Sequence, residues 1–164
     1  MEFKLARLDS TEWVGMGAAL LLAFSLLLPW YSTDANNEQS TINGLRSPDG
    51  STAGGAWNAL QTFSILDFIL LAGCIAPFVL AWMVVRGHQV GWNRGEVTAI
   101  VGALVLTLIL LNGIILGKPG DGPGGPVEVS LSWGYPIAIF AAAVILVTGA
   151  MRGAKGRKKQ PPGV

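Results

Sequence analysis

The chain has 164 residues, of which 51% are hydrophobic and only 13% charged, with a mean hydropathy of +0.52 and a formal net charge of +1. About a quarter of a soluble domain is normally charged, so too little polar surface is present to clothe a water-soluble fold. The near-neutral balance excludes a strongly basic nucleic-acid binder, and the single cysteine, Cys74, excludes an intramolecular disulfide.

Four apolar segments run at about 12–30, 64–85, 96–117 and 133–151. At 1.5 Å per residue, segments of about 19–22 residues reach across a hydrocarbon core of about 30 Å. An open segment in lipid must satisfy its own backbone, which selects helices. The predicted fold is an all-α four-transmembrane-helix bundle. Residues 1–152 form one membrane domain, and 153–164 form a basic, disordered cytoplasmic tail.

The first segment follows an arm that mixes Glu2, Asp9 and Glu12 with its two basic residues, unlike the leading region of a cleaved signal peptide. Ser10 or Thr11 is the expected cap. The segment closes on "LLPWYS", where Pro29 predicts a kink or weakened last turn and Trp30 and Tyr31 suit a membrane boundary. Outer loop one, 31–63, is long and polar and ends in "AWNALQTF". The spacing of Trp57, Leu60 and Phe63 predicts a helix that extends the second span outwards.

Ser64 with Asp67 and Asn93 with Glu96 match a cap residue followed three positions later by an acid, at the starts of the second and third spans. Pro77 predicts a kink in span two. The inner loop, about 86–95, is short, which makes spans two and three neighbours. Its lone His88 has no second ligand nearby for a metal. Outer loop two, 118–132, carries the turn-rich "GKPGDGPGGP" and then "VEVSLSW". There Val127, Val129 and Leu131 alternate with Glu128, Ser130 and Ser132, which predicts a strand with one apolar face. A lone strand needs partners, and Tyr31–Thr33 and Thr41–Leu45 are the candidates for an antiparallel sheet capping the bundle. Ser132 is the expected cap of the last span.

Orientation follows from lysine and arginine. With the N-terminus in the cytoplasm, Lys4, Arg7, Arg86, Arg94, Arg152, Lys155, Arg157, Lys158 and Lys159 lie inside, and only Arg46 and Lys118 lie outside. Both termini are therefore expected to be cytoplasmic in a multi-pass protein of the cell membrane. The large rings fall near span ends and predict an interfacial belt: Trp13, Trp82 and Trp92 inside; Trp30, Tyr31, Trp57, Trp133 and Tyr135 outside.

Asp67 is the one acid within an apolar run. Near the outer end of its helix it suits a capping or loop-anchoring role, with ion or proton handling as the alternative. Asn112 could hydrogen-bond across helices and, with Asp67, tie spans two and three together. Ser25, Thr98, Thr107 and Thr148 are expected to bond to their own helix backbone. Gly113 with Gly117, and Gly149 with Gly153, have the small-residue spacing of helix-packing or dimer faces. No catalytic constellation, cofactor motif or cysteine cluster is visible in the sequence.

The strings "LLPWYS", "AWNALQTFSILDFILL" and "VEVSLSWG" resemble a group of uncharacterised small four-span membrane proteins of high-GC Gram-positive bacteria. The plan of four helices under a small outer sheet is similar to the claudin-like tetraspan arrangement, although the two loop-one cysteines of that pattern are missing. The expected role is non-enzymatic: an accessory subunit or homo-oligomeric scaffold, with the lipid bilayer and other membrane subunits or further copies as partners. The alternative is a small oligomeric transporter or channel using Asp67 and Asn112.

Overall fold

The structure is a computed structural model that describes residues 8–33, 42, 55–63, 65–87, 93–118 and 129–157. Its elements run α1 (Ser10–Ser25), β1 (Pro29–Thr33), β2 (Gly55–Asn58), a single helical turn α2 (Ala59–Thr62), α3 (Leu66–Val85), α4 (Arg94–Leu110), a π-helical turn (Leu111–Ile115), β3 (Val129–Leu131) and α5 (Gly134–Arg157). The chain is mostly helical, with a small three-stranded sheet. Three helical stretches are long and apolar enough to cross a membrane: Leu66–Val85, Arg94–Ile115 and Gly134–Lys155.

α5 packs against both α1 and α4, and α3 closes the arrangement by touching α1 and α4. The interior is formed by small and branched residues, among them Ala19, Leu22, Leu70, Val105, Ile109, Ala138, Ala142 and Ile145. Outward-facing positions are also apolar. Leu20, Phe24, Phe68, Ile75, Ile100, Leu104, Phe140 and Val147 are all exposed. Helices apolar on every side, with their outer faces uncovered, match lipid rather than water as solvent.

α1 is shorter than its apolar run. It starts from Asp9 rather than from Ser10 or Thr11, because Asp9 and Glu12 form a reciprocal capping box. It ends at Ser25, and Pro29, Trp30 and Tyr31 belong to a strand rather than to a last helical turn. The proline ring cannot donate the backbone bond a helix needs at that point.

The sheet order is β2–β1–β3, antiparallel throughout. Tyr31 pairs with Trp57 on one side and Leu131 on the other; Thr33 pairs with Gly55 and Val129. The predicted cap sheet is therefore present, with Tyr31–Thr33 as its centre and Val129–Leu131 as one edge. Its third strand is Gly55–Asn58, where the expected outward extension of the second span was to lie. Asn58 breaks that extension: it caps α2, its side chain accepting from Gln61 N at 2.9 Å while its own N–H donates to Gln61 Oε1 at 3.1 Å. The expected partner at Thr41–Leu45 lies outside the described residues, except for Ile42, which is fully buried. The strand's alternation is only half realised: Val129 is buried, but Leu131 faces outwards at 40% exposure.

Two further boundaries differ. α3 begins after Ile65, which provides no side-chain cap; the expected cap residue, Ser64, lies outside the described residues. α5 continues to Arg157, through the first five residues of the predicted tail that begins at 153. Within that extension Lys155 pairs with Asp9. The rest of the tail, Trp92 and His88 lie outside the described residues.

Candidate functional site

The bundle's two ends carry different chemistry, beginning with the sheet end. A register shift between Pro29 and Tyr31 makes a bulge at Trp30. In a regular strand adjacent side chains point to opposite faces; the bulge lets Trp30 and Tyr31 both be fully buried. Trp30 meets Tyr135 edge-on, with centroids 5.6 Å apart, and Phe63 at 6.2 Å. Tyr31 meets Phe63 and Tyr135, each at 6.1 Å. Trp30 Nε1 donates at 2.8 Å to the Ser25 carbonyl at the end of α1, which also accepts from Leu28 N at 3.1 Å.

The same cluster reaches the π-helical turn. Leu116 N bonds to Leu111 O at 2.9 Å, five residues back. The Asn112 carbonyl thereby loses its ordinary helical donor and accepts the Tyr31 hydroxyl instead. Asn112 itself leaves helical geometry (φ −91°, ψ 31°). Tyr135 Oη donates to the Ile109 carbonyl at 2.8 Å. Burial, and secondarily the neighbouring Tyr135, push the Tyr31 phenol well above its usual range, so it stays a donor.

Asn112 and Asp67 are not joined. Asn112 Nδ2 donates to Leu108 O at 2.9 Å, so its side chain bonds within its own helix, and its backbone carbonyl makes the tie to strand β1 through Tyr31. Asp67 lies in the first turn of α3, only 7% exposed, and its Oδ1 has no hydrogen-bond partner. It faces the interior on the same stripe as Leu70, Cys74 and Pro77.

The large rings divide. Trp30, Tyr31, Trp57 and Tyr135 are buried in protein. They pack on one another and on the sheet because the chain turns back over the bundle at Leu26–Leu28 instead of leaving it. Trp13, Trp82 and Trp133 are exposed, at 54%, 49% and 81%. The Arg86 guanidinium lies 4.5 Å from the Trp82 ring centroid.

The glycine pairs pack within the chain. A Cβ on Gly113 would overlap the Tyr135 ring, and Gly117 adopts φ 92°, the left-handed turn that ends the helix. Gly149 lies against the Ala99 backbone of α4, and Gly153 against Gly95 and Glu96. Gly102 faces Leu146 so closely that a Cβ would sit 2.5 Å from its backbone nitrogen. These contacts draw α4 and α5 together and occupy the surfaces read as dimer faces.

At the opposite end, Arg152 pairs with Glu12 at 3.1 Å and donates to the Thr98 hydroxyl, joining α5 to α1 and α4. Thr98 also donates to its own helix at Arg94 O, at 3.0 Å. Asn93 caps α4 through Gly95 N and donates to Gly153 O, both at 3.1 Å. Lys155 pairs with Asp9 at 3.3 Å. That bond first, then bonds from Ser10 and Thr11, hold the Asp9 carboxyl below its usual range. The described start and end of the chain thus lie at the same end of the bundle.

Sequence reasoning missed the two tyrosine hydroxyls and the Glu12–Arg152–Thr98 group. An acid at the start of one apolar run and an arginine at the end of another were available as a signal for the latter. Beside the sheet, an open groove of about 480 Å³ is lined by Ile114, Leu131, Ser132, Trp133, Pro136 and Ile139, with Tyr135 at its base. No protein-family model, curated protein or solved structure matches the chain.

Proposed function

We propose that the chain is a four-span integral protein of the cell membrane, both termini cytoplasmic, acting without catalysis as an accessory subunit or homo-oligomeric scaffold. The observation that carries this reading is the fastened cap: a three-stranded sheet bonded to the helical elements through Trp30 and Tyr31. A surface already ordered loses little conformational entropy when a partner docks, which suits a protein that works by association. α1 is the fourth span in this reading. Its 16 residues reach about 24 Å at the helical rise, and the apolar turn Leu26–Leu28 adds to that length. The plan remains similar to the claudin-like arrangement of helices under an outer sheet. Purification in mild detergent, with particle mass measured and co-purifying chains identified, tests it. A stable lone monomer would sink it.

A transporter or channel is the second reading, favoured by one observation: the buried, unpartnered Asp67 Oδ1 facing the bundle interior. Ion or proton flux into liposomes that Asp67→Asn abolishes, with the fold retained, would establish it over the first.

A further inference from the structure

We propose that the π-helical turn at the end of α4 is a two-register switch, held in its present register by Tyr31 of the sheet. In the turn Leu116 N bonds to Leu111 O, five residues back. In an uninterrupted α-helix the same N–H bonds four residues back, which here is Asn112 O. That carbonyl is the one the Tyr31 hydroxyl holds. A strand of the cap and an amide of the helix therefore stand as alternative donors to one acceptor. With Tyr31 engaged, Leu116 N serves Leu111 and the turn is π. With Tyr31 withdrawn, the Asn112 carbonyl lacks a donor, and Leu116 N supplies one by moving to the α register. A carbonyl shielded from water and left unmet is costly, which links the two events.

The surroundings decide which part moves. Before the turn, α4 is seated on α5: Gly102 lies against the Leu146 backbone, and Gly149 of α5 against the Ala99 backbone. The Tyr135 hydroxyl, bonded to Ile109 O at 2.8 Å, ties α5 to the last turn of α4 ahead of it. Beyond, Ile114, Ile115 and Leu116 are 59%, 63% and 75% exposed, and Gly117 ends the helix at φ 92°. A one-residue change of register turns that end by about 100° and slides it by about 1.5 Å. Single π turns inside α-helices recur at functional sites. The sheet is thereby coupled to the face that α4 presents at this end of the bundle. A partner that displaces β1 releases Tyr31 and rotates residues 114–116. Only that trigger is taken from the association reading; the change of register rests on the hydrogen bonds.

The test measures distances between spin labels by electron paramagnetic resonance, on the full chain in nanodiscs and in a Cys74→Ala background. One pair sits at Leu104 and Leu116, both exposed. Uninterrupted α-helix would set these positions about 120° apart, and the extra residue of the π turn brings them to about 20°. The second pair, Leu104 and Ile115, behaves in reverse, about 20° apart in the α register and about 80° in the π register. Tyr31→Phe should add a population in which the first distance is longer by on the order of 5 Å and the second is shorter. Its ratio to the original population should rise about 5- to 150-fold over the wild type, the factor corresponding to about 1–3 kcal/mol for the lost bond. Trp57→Phe keeps the hydroxyl but trims the cross-strand neighbour of Tyr31. It should shift both distances the same way to a lesser degree, and it decides the matter if Tyr31→Phe does not stay monodisperse. Trp133→Ala, at the same end but exposed, should leave both distances unchanged. Unchanged distances in Tyr31→Phe and Trp57→Phe, equal shifts in Trp133→Ala, or broadening of both pairs without opposite shifts would each overturn the switch. The last outcome means that the helix end frays. A lone monomer in the particle-mass measurement removes the partner that pulls on the sheet and leaves these distances as expected, so the two readings fail separately.

Discussion

The two ends of the bundle solve one problem with different materials. At the sheet end, helices and strands are tied by phenol and indole groups bonded to backbone carbonyls, inside a cluster of edge-on rings. At the other end the ties are charges: Glu12 to Arg152 and Asp9 to Lys155. Neutral donors can be buried without the desolvation cost of ions, so the sheet end can be closed over by loop-one residues such as Ile42. The charged end holds Arg152 and Lys155 and remains partly open. Glycine contacts between α4 and α5 join the two ends, and they set the distance at which both kinds of tie can form.

Breaking that joint should have the largest effect. Gly102→Leu drives a side chain into the Leu146 backbone, which cannot move aside as a flexible side chain would. The cost should exceed the about 1–3 kcal/mol of ordinary overpacking, read as loss of a monodisperse peak in size-exclusion chromatography. Gly17→Leu, at a position with open space around it, should fold normally. Equal behaviour of the two would remove the close α4–α5 crossing from the account.

Trp30→Ala comes next. It deletes a fully buried indole, a class of change that costs about 3–5 kcal/mol. Trp133→Ala removes a ring that is 81% exposed and should leave the melting temperature nearly unchanged. Similar losses for both would return Trp30 to a membrane-surface role.

Much of this architecture was legible in the sequence, and the misses have physical reasons. The three long apolar runs and the strand within "VEVSLSW" follow from hydropathy and alternation. "LLPWYST" was misread at its turn, because ring enrichment at a bilayer surface and ring burial under a sheet give the same local string. "GAWNALQT" carries a helical spacing of large residues, but Asn58 stops the strand and starts a single helical turn there. The π turn leaves no pattern at all: Asn112 is an ordinary polar residue in an apolar run, and its released carbonyl matters only because Tyr31, 81 residues away in sequence, reaches it. Gly149 and Gly153 lie against α4 of the same chain, a neighbour that their spacing alone does not name.

The neutral ties should cost less to break than the ring cluster. Tyr31→Phe leaves the Asn112 carbonyl without its donor, and Tyr135→Phe does the same to Ile109, at about 1–3 kcal/mol each. Raising pH should reproduce part of the Tyr31 effect. Its folded pKa lies above the ordinary value of about 10, so its contribution is complete below pH 10 and is lost as pH rises through the folded value. Thermal melts from pH 8 to 11 should steepen their decline above pH 10 in the wild type and flatten in Tyr31→Phe. Parallel curves would mean the hydroxyl is solvated rather than engaged with the helix.

The smallest effect belongs to the exposed charged tie. Asp9 and Lys155 are 48% and 59% exposed, and pairs of that kind contribute little after solvent screening. The sign is still defined. Bonding to Lys155 lowers the folded Asp9 pKa, so any stabilisation is present above the unfolded value of about 3.9 and disappears as pH falls through the folded value. Lys155→Gln should therefore cost slightly at pH 6 in low salt, nothing below the folded Asp9 pKa, and nothing at either pH in high salt. The Tyr31→Phe cost should be insensitive to salt and unchanged across that acid range. Melting temperatures of both variants under these four conditions test the contrast directly. A Lys155→Gln loss as large as that of Tyr31→Phe, persisting in high salt, would mean that the charged end is held as firmly as the sheet end, and the bundle would then have no softer end from which to open.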